Sequence, residues 1–310
     1  MNDLSQAKGV YVIAATPFHP DGSIDFESMD RLIDFYLEAG CTGITILGMM
    51  GEAQKLDAEE SLEVARRFIT RASDLPVIVG VSSPGLASMR SLTHAVMDMG
   101  AKGVMIAPPN TLRTDDQIVG YYAQATEAIG SDVPFVLQDF PLALSVQMTP
   151  EVIRRIVEAN PGCQSLKHED WPGLEKITAL RKFEQDGRMR HISILCGNGG
   201  IFLDFEMKRG ADGAMTGYAF PDMLAETVRL ANAGEHEAAH DLFDAHLPLI
   251  RYEQQPAVGL AVRKYTLMRR GVIASDAQRR PGAALGPKAR EEVDHLLARL
   301  ARKDSRAVLK

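Results

Sequence analysis

Short apolar runs alternate along this chain with longer segments whose apolar positions recur every three or four residues. The runs cover residues 9–15, 43–47, 77–81, 103–106, 134–137, 165–167, 192–196 and 213–216. They are continuously apolar, not alternating, as strands are when a parallel sheet buries both of their faces. The intervening segments predict helices over 24–39, 57–72, 86–99, 114–130, 149–159, 171–186, 198–208 and 221–233. The first follows a turn at Gly22 and Ser23. The second opens on Asp57, a residue type that caps helices, with Glu59 and Glu60 in its first turn. Pro150, Pro172 and Pro221 stand where helices should begin, as proline prefers.

Eight strand–helix repeats over residues 1–233 fit a (β/α)8 TIM barrel. A doubly wound open sheet is the rival, because alternation alone does not distinguish a closed sheet from one with edges. Residues 234–310 read as helix throughout, with patterns near 234–249, 254–270 and 287–302 and a break at Pro281 and Gly282. They form a C-terminal helical appendage packed on the barrel, and the last ten residues are expected to fray.

Composition narrows the class. Of 310 residues, 45% are hydrophobic and 24% charged, which is globular and neither disordered nor fibrous. A net charge of −7 argues against a nucleic-acid partner, which needs a basic face. No apolar run approaches the 18 residues of a membrane span, and the N-terminus lacks the pattern of a signal peptide. Cys41, Cys163 and Cys196 make neither a disulfide framework nor a CxxC pair, so a reducing, cytoplasmic setting is expected.

In a barrel, chemistry gathers at the C-terminal ends of the strands. Lys167 ends an otherwise buried strand, where a lysine is unusual. Desolvation favours the neutral amine, which can attack a carbonyl and form a Schiff base. The plain alternatives are that Lys167 reaches out of the barrel top or pairs with Glu52 or Asp139.

Several motifs accompany the lysine: TPF at 16–18 followed by DGSIDFESMDRLIDFYLEAG, GMMGE at 48–52, QDFP at 138–141, SLK at 165–167 and GADGAMTG at 210–217. With these, the chain resembles the dihydrodipicolinate synthase/N-acetylneuraminate lyase family of class I aldolase-type barrels from about residue 9 to about residue 300. The resemblance implies that Lys167 holds a 2-oxo acid as a covalent imine, with no other cofactor and no metal. It implies a homo-oligomer, a tetramer or dimer, and a small-molecule 2-oxo acid as partner. The substrate carboxylate would lie on the turn of Gly48, Met49, Met50 and Gly51, with Glu52 behind it. Gly197, Thr216, Gly217 and Tyr218 would line the mouth.

Departures from the family pattern bear on the reaction. Met49 and Met50 replace two threonines whose hydroxyls serve a proton relay. Gln138 stands where the family carries its catalytic tyrosine, and Leu142 stands where an arginine follows the proline motif. Aldol cleavage needs a base for the C4 hydroxyl proton, and Gln138 cannot exchange protons at neutral pH, although it can orient a water or hydroxyl. Dehydration needs loss of the C3 proton and departure of the C4 hydroxyl. The motifs QDFP, GAMTGYAFPD at 213–222 and LPLIRYEQQPAVGLAVRKYTLMRRGVI at 247–273 resemble the subgroup containing L-2-keto-3-deoxyarabonate dehydratase. A hydro-lyase acting on a 2-keto-3-deoxy sugar acid is therefore expected, with Lys167 as nucleophile and Gln138 holding water or a hydroxyl. Two rivals stand beside it: a pyruvate-dependent aldolase or 4-hydroxy-tetrahydrodipicolinate synthase-like enzyme, and a non-catalytic barrel that binds 2-oxo acids.

Other residues carry weaker signals. His168 and Asp139, next to Lys167 and Gln138, should face away from the interior. Tyr218 either replaces the missing phenol or packs. His236, Glu237 and His240, with His246 beyond, match a zinc-protease pattern formally. An unbroken helix would carry His246 roughly 120° away from His240, at about 100° per residue. The plain reading is an amphipathic helix that turns Leu242, Phe243, Leu247 and Ile250 inward.

Overall fold

The structure is a computed structural model that describes residues 3–309. Eight parallel strands close on themselves in chain order: β1 (Gly9–Ile13), β2 (Gly43–Ile46), β3 (Val77–Gly80), β4 (Gly103–Ile106), β5 (Phe135–Asp139), β6 (Cys163–His168), β7 (Ser193–Cys196) and β8 (Gly213–Ala214). Closure is made where Gly9 pairs with Gly213 and Val10 with Ala214, which excludes the open-sheet alternative. Around the strands run α1 (Phe26–Glu38), α2 (Ala58–Arg71), α3 (Leu86–Asp98), α4 (Asp115–Ile129), a single turn α5 (Pro141–Leu144), α6 (Pro150–Ala159), α7 (Leu174–Gln185), α8 (Leu203–Lys208) and α9 (Pro221–Asn232). Asp57 caps α2 in a reciprocal capping box with Glu60. The chain continues through α10 (His236–Glu253), α11 (Gly259–Arg269) and α12 (Pro287–Leu300), with α10 lying along α8 and α9.

Strand periodicity divides the apolar residues into two layers. Tyr11, Ile13, Ile78, Met105, Val136, Leu195 and Met215 fill the barrel interior. A larger layer, including Val10, Val12, Leu166, Ile194, Cys196 and Ala214, packs the outer strand faces against the helices. Gly43 is required by this filling, because a Cβ there would stand 2.3 Å from the Tyr11 ring. Leu4 and Ala7 close the bottom: Gln164 accepts a hydrogen bond from the Leu4 amide at 2.8 Å, and Ser193 donates to the Ala7 carbonyl at 2.7 Å. The opposite end is left for chemistry.

Four expectations need correction. The helix expected over 198–208 is a 3-10 turn (Asn198–Gly200) followed by the short α8, because Gly199 and Gly200 take positive φ. Pro172 does not begin α7, which starts at Leu174. Gly173 must first pass over His168, so closely that a Cβ would lie 2.4 Å from Nε2. On α10, Leu247 is exposed, and His246 and Leu249 face inward with Phe243 and Ile250. The described part of the chain end, residues 301–309, is packed down and not frayed: Asp304 and Ala307 are buried, and Asp304 is bonded to His246, while Lys310 lies outside the described residues.

Among the described residues, no helix is long and apolar enough to cross a membrane.

Candidate active site

Lys167 owes its position to parity. Within β6, Leu166 joins the outer layer, so Ser165 and Lys167 face inward. In register with Lys167 stand Gln138 of β5 and Leu195 of β7. The ladder does not stop at the lysine. His168 pairs with Asp139, and the Glu169 amide donates to the Asp139 carbonyl at 2.9 Å. Glu169 therefore shares the inward face two residues on.

Its carboxylate organises the mouth. Lys167 Nζ lies 3.0 Å from Glu169 Oε2, and Gln138 Nε2 donates to the same oxygen at 2.7 Å. The Asn198 amide donates to Oε1 at 3.2 Å. A Cβ on Gly197 would stand 2.3 Å from Glu169 Cγ, so glycine there makes room for the carboxylate. All of Gln138, Lys167 and Glu169 are buried, with 4–5% of their surface exposed. The sequence expectation missed Glu169 because it ended the strand at Lys167. The available signal was the two-residue spacing.

Across the barrel, on the end of β2, Gly48 leads into the 3-10 turn Met49–Gly51. Gly51 and Glu52 donate their amides back to Gly48 and Met49 carbonyls at 3.0 and 3.1 Å. Among the described residues, the Met49 and Met50 amides have no backbone acceptor. Thr16 ties the turn to the end of β1 by donating to the Gly51 carbonyl at 2.6 Å, and Met50 rests on the barrel interior.

Neither partner considered for Lys167 is its partner. Glu52 turns away from the mouth: Oε1 meets Lys264 Nζ at 2.5 Å, and Oε2 accepts from Lys55 Nζ at 2.7 Å and the Arg279 amide at 3.1 Å. With both oxygens engaged, Glu52 has nothing to offer a substrate. Burial pulls the Lys264 ammonium down to about 8, against the Glu52 carboxylate that holds it up. Asp139 faces the shell, as its parity requires, and binds Lys176 Nζ at 2.7 Å.

The expectation for Thr216 and Tyr218 also changes. Ala214 lies in the outer layer and Met215 in the interior, so Thr216 and Tyr218 face outward. The Thr216 methyl stands 3.6 Å from where a Cβ on Gly200 would be. The Tyr218 hydroxyl lies 2.9 Å from His246 Nδ1, whose Nε2 is 2.8 Å from Asp304. Burial pushes the Tyr218 phenol well above its ordinary range. It stands in the helical shell and not in place of the missing catalytic phenol. Gly217 admits the Arg263 guanidinium, since a Cβ would meet Nη1 at 2.1 Å.

The zinc-protease pattern does not assemble. α10 runs unbroken from His236 to Glu253; His240 binds Asp204 at 2.6 Å, and His246 serves Tyr218 and Asp304. Among the described residues, no three His, Cys, Asp or Glu side chains are grouped to hold a metal ion.

Comparison with known proteins places the chain in a family and a fold. The family model described as the dihydrodipicolinate synthetase family matches residues 6–300. An L-2-keto-3-deoxyarabonate dehydratase of Azospirillum brasilense is 30% identical over 303 residues, covering 94% of each chain. A 4-hydroxy-tetrahydrodipicolinate synthase of Methylococcus capsulatus is 28% identical, covering 78% of this chain and 85% of its own. A crystal structure from Rhodopseudomonas palustris, named dihydrodipicolinate synthase, is 65% identical with a TM-score of 0.94, covering 95% of this chain and 98% of that one.

Proposed function

Because the chain belongs to the dihydrodipicolinate synthetase family, a family of lyases, we propose that it is a Schiff-base-forming hydro-lyase acting on a 2-keto-3-deoxy sugar acid of the L-2-keto-3-deoxyarabonate kind. The observation that carries the reading is the Glu169 carboxylate, within 3.0 Å of Lys167 Nζ and bonded to Gln138, the residue that stands at the position of the family's tyrosine.

The neutral Lys167 amine attacks the C2 carbonyl, and loss of water gives the iminium. This acidifies the C3 protons. Glu169 takes one, leaving an enamine whose electron pair expels the C4 hydroxyl, and the proton on Glu169 leaves with it as water. The resulting 3,4-unsaturated iminium loses a C5 proton and takes one at C3, the C4–C5 enol so formed tautomerises to the aldehyde, and hydrolysis of the iminium returns the amine and releases the 2,5-dioxo acid. Gln138 fixes the carboxylate between the reacting carbons. The Met49 and Met50 amides take the substrate carboxylate, on a turn carried by β2, four strands from β6 in a closed ring of eight. No metal or external cofactor enters this scheme. The family and the three buried free cysteines support a cytoplasmic enzyme, and the homo-oligomer is carried over from the family resemblance.

The name of the 65% identical structure favours a second reading, an aldol-type reaction of pyruvate. Borohydride trapping followed by intact mass and product analysis separates the two. The dehydratase gives a wild-type adduct on Lys167 with a 2-keto-3-deoxy acid and releases a dioxo acid without pyruvate. Pyruvate plus an aldehyde would move the assignment to the aldolase, and absence of any adduct would remove the Schiff base.

A further inference from the structure

The segment that follows the barrel grips the 48–51 turn from behind. Glu52 directly follows the 48–51 turn and holds φ at +56°, a left-handed conformation that non-glycine residues rarely adopt. A glycine would take that backbone without strain, so a glutamate there implies a side chain with work to do. The side chain is fully enclosed. Lys264 of α11 meets one oxygen and donates also to the Ala277 carbonyl at 2.9 Å, with its ammonium 4.6 Å from the centre of the Phe18 ring. Lys55 and the Arg279 amide hold the other oxygen. Arg279 then reaches Glu60 and the Gly22 carbonyl, so the segment after α11 is itself anchored.

The turn is thus gripped from both ends, by Thr16 at the Gly51 carbonyl and by the Lys264–Glu52 pair at the next residue. We propose that Glu52 and Lys264 are positioning residues for the substrate carboxylate: their buried pair fixes the 48–51 turn so that the Met49 and Met50 amides point together into the mouth. This rests on the reading that the turn receives the carboxylate of an imine formed on Lys167. The burial that pulls the Lys264 ammonium down to about 8 supports a site whose charge is held for a purpose, since the same volume could be filled by an apolar side chain.

The pair acts on the carboxylate and not on the imine, because Lys167 stands on β6, with Glu169 directly after that strand, and β2 carries the turn. The test uses two probes that form the same iminium, pyruvate and its uncharged methyl ester. Borohydride trapping on the full-length protein is titrated with each, for wild type and Lys264→Met. The half-saturating pyruvate concentration should rise about 10-fold, with methyl pyruvate changed less than about 2-fold and the maximal adduct preserved, as when a binding contact alone is lost. Parallel weakening of both probes, or no change in either, would overturn the inference. If Lys264→Met fails to fold, Lys55→Gln, at the edge of the same cluster, should raise the pyruvate value about 3-fold and leave the ester alone. Equal response of the two probes there overturns it as well. Absence of adduct in the wild type with both probes is a different result, and it removes the Schiff-base reading itself.

Discussion

Lys167 and Lys264 are both buried against a glutamate, and the two pairs differ in what else they touch. At Lys264 the pair is sealed: both side chains have no exposed surface, the N–O distance is 2.5 Å, the second carboxylate oxygen is held by Lys55 and the Arg279 amide, and the ammonium also donates to the Ala277 carbonyl. At Lys167 the distance is 3.0 Å, and among the described residues Glu169 is the one acid within 4.0 Å of the ammonium. A sealed pair is expensive to separate, because separation leaves a charge stranded in a medium of low polarity. A pair at a mouth can give up its proton and its partner when a carbonyl arrives. The difference teaches that burial alone does not single out a candidate nucleophile: Lys167 faces one acid, whereas Lys264 is held by a glutamate and a backbone carbonyl together.

The sharpest test of this contrast exchanges the mouth glutamate for its amide. Glu169→Gln keeps the shape and removes the proton carrier, so kcat should fall about 10²- to 10⁴-fold while pyruvate still forms an adduct on Lys167. Loss of the adduct in that variant would mean that Glu169 only supports the lysine. Gly197→Ala comes next. Its methyl would push on Glu169 Cγ, and the resulting displacement should cost about 10- to 100-fold in kcat with a thermal midpoint close to wild type. An unchanged kcat would show that the carboxylate need not sit where it does.

Sealed acids should reveal themselves in stability. Burial raises Glu206 to about 7, and raises Glu253 to about 7 in spite of its ion pair with Arg263. Between the ordinary value of 4.5 and about 7, the folded protein then holds more protons than the unfolded chain. Their stabilisation is fully present below pH 4.5 and is lost as pH rises through about 7. Urea midpoints measured from pH 5 to 8 should fall with pH, and Glu206→Gln should flatten part of that slope. A slope identical in wild type and Glu206→Gln would assign the effect to other groups.

The smallest effect belongs to Tyr218→Phe. It removes the hydroxyl beside His246 and should lower stability by about 1–3 kcal/mol, with turnover within about 2-fold of wild type. A large loss of turnover, read by the same product assay, would return Tyr218 to the chemistry.

Much of the barrel was legible because its signal is local. Strands β2, β3 and β4 are apolar runs bounded by turn residues, and they stand within one residue of where the pattern put them. Lys167 was legible for the same reason, as a charge breaking such a run. Glu169 was not, because a strand end is set by pairing with a neighbour: Asp139 carries the ladder two residues past the last apolar side chain of β6. The same ignorance of parity put Thr216 and Tyr218 in the mouth. Glu52 was legible as a carboxylate behind the turn, but its direction depends on Lys264 and Arg279, more than 200 residues away in sequence. No periodicity carries information over that distance.

The Glu52 clamp also imposes an order on synthesis. A ribosome releases β2 and its turn early, and Lys264 emerges 212 residues later, after all eight strands are out. Until then Glu52 has no partner from α11 or the segment after it. A nascent chain stopped between α9 and α11 therefore contains every strand of the barrel and the candidate nucleophile Lys167, but its mouth is set on one side only. On the proposed reading, the turn that would receive the substrate carboxylate is therefore the last part of the mouth to be fixed.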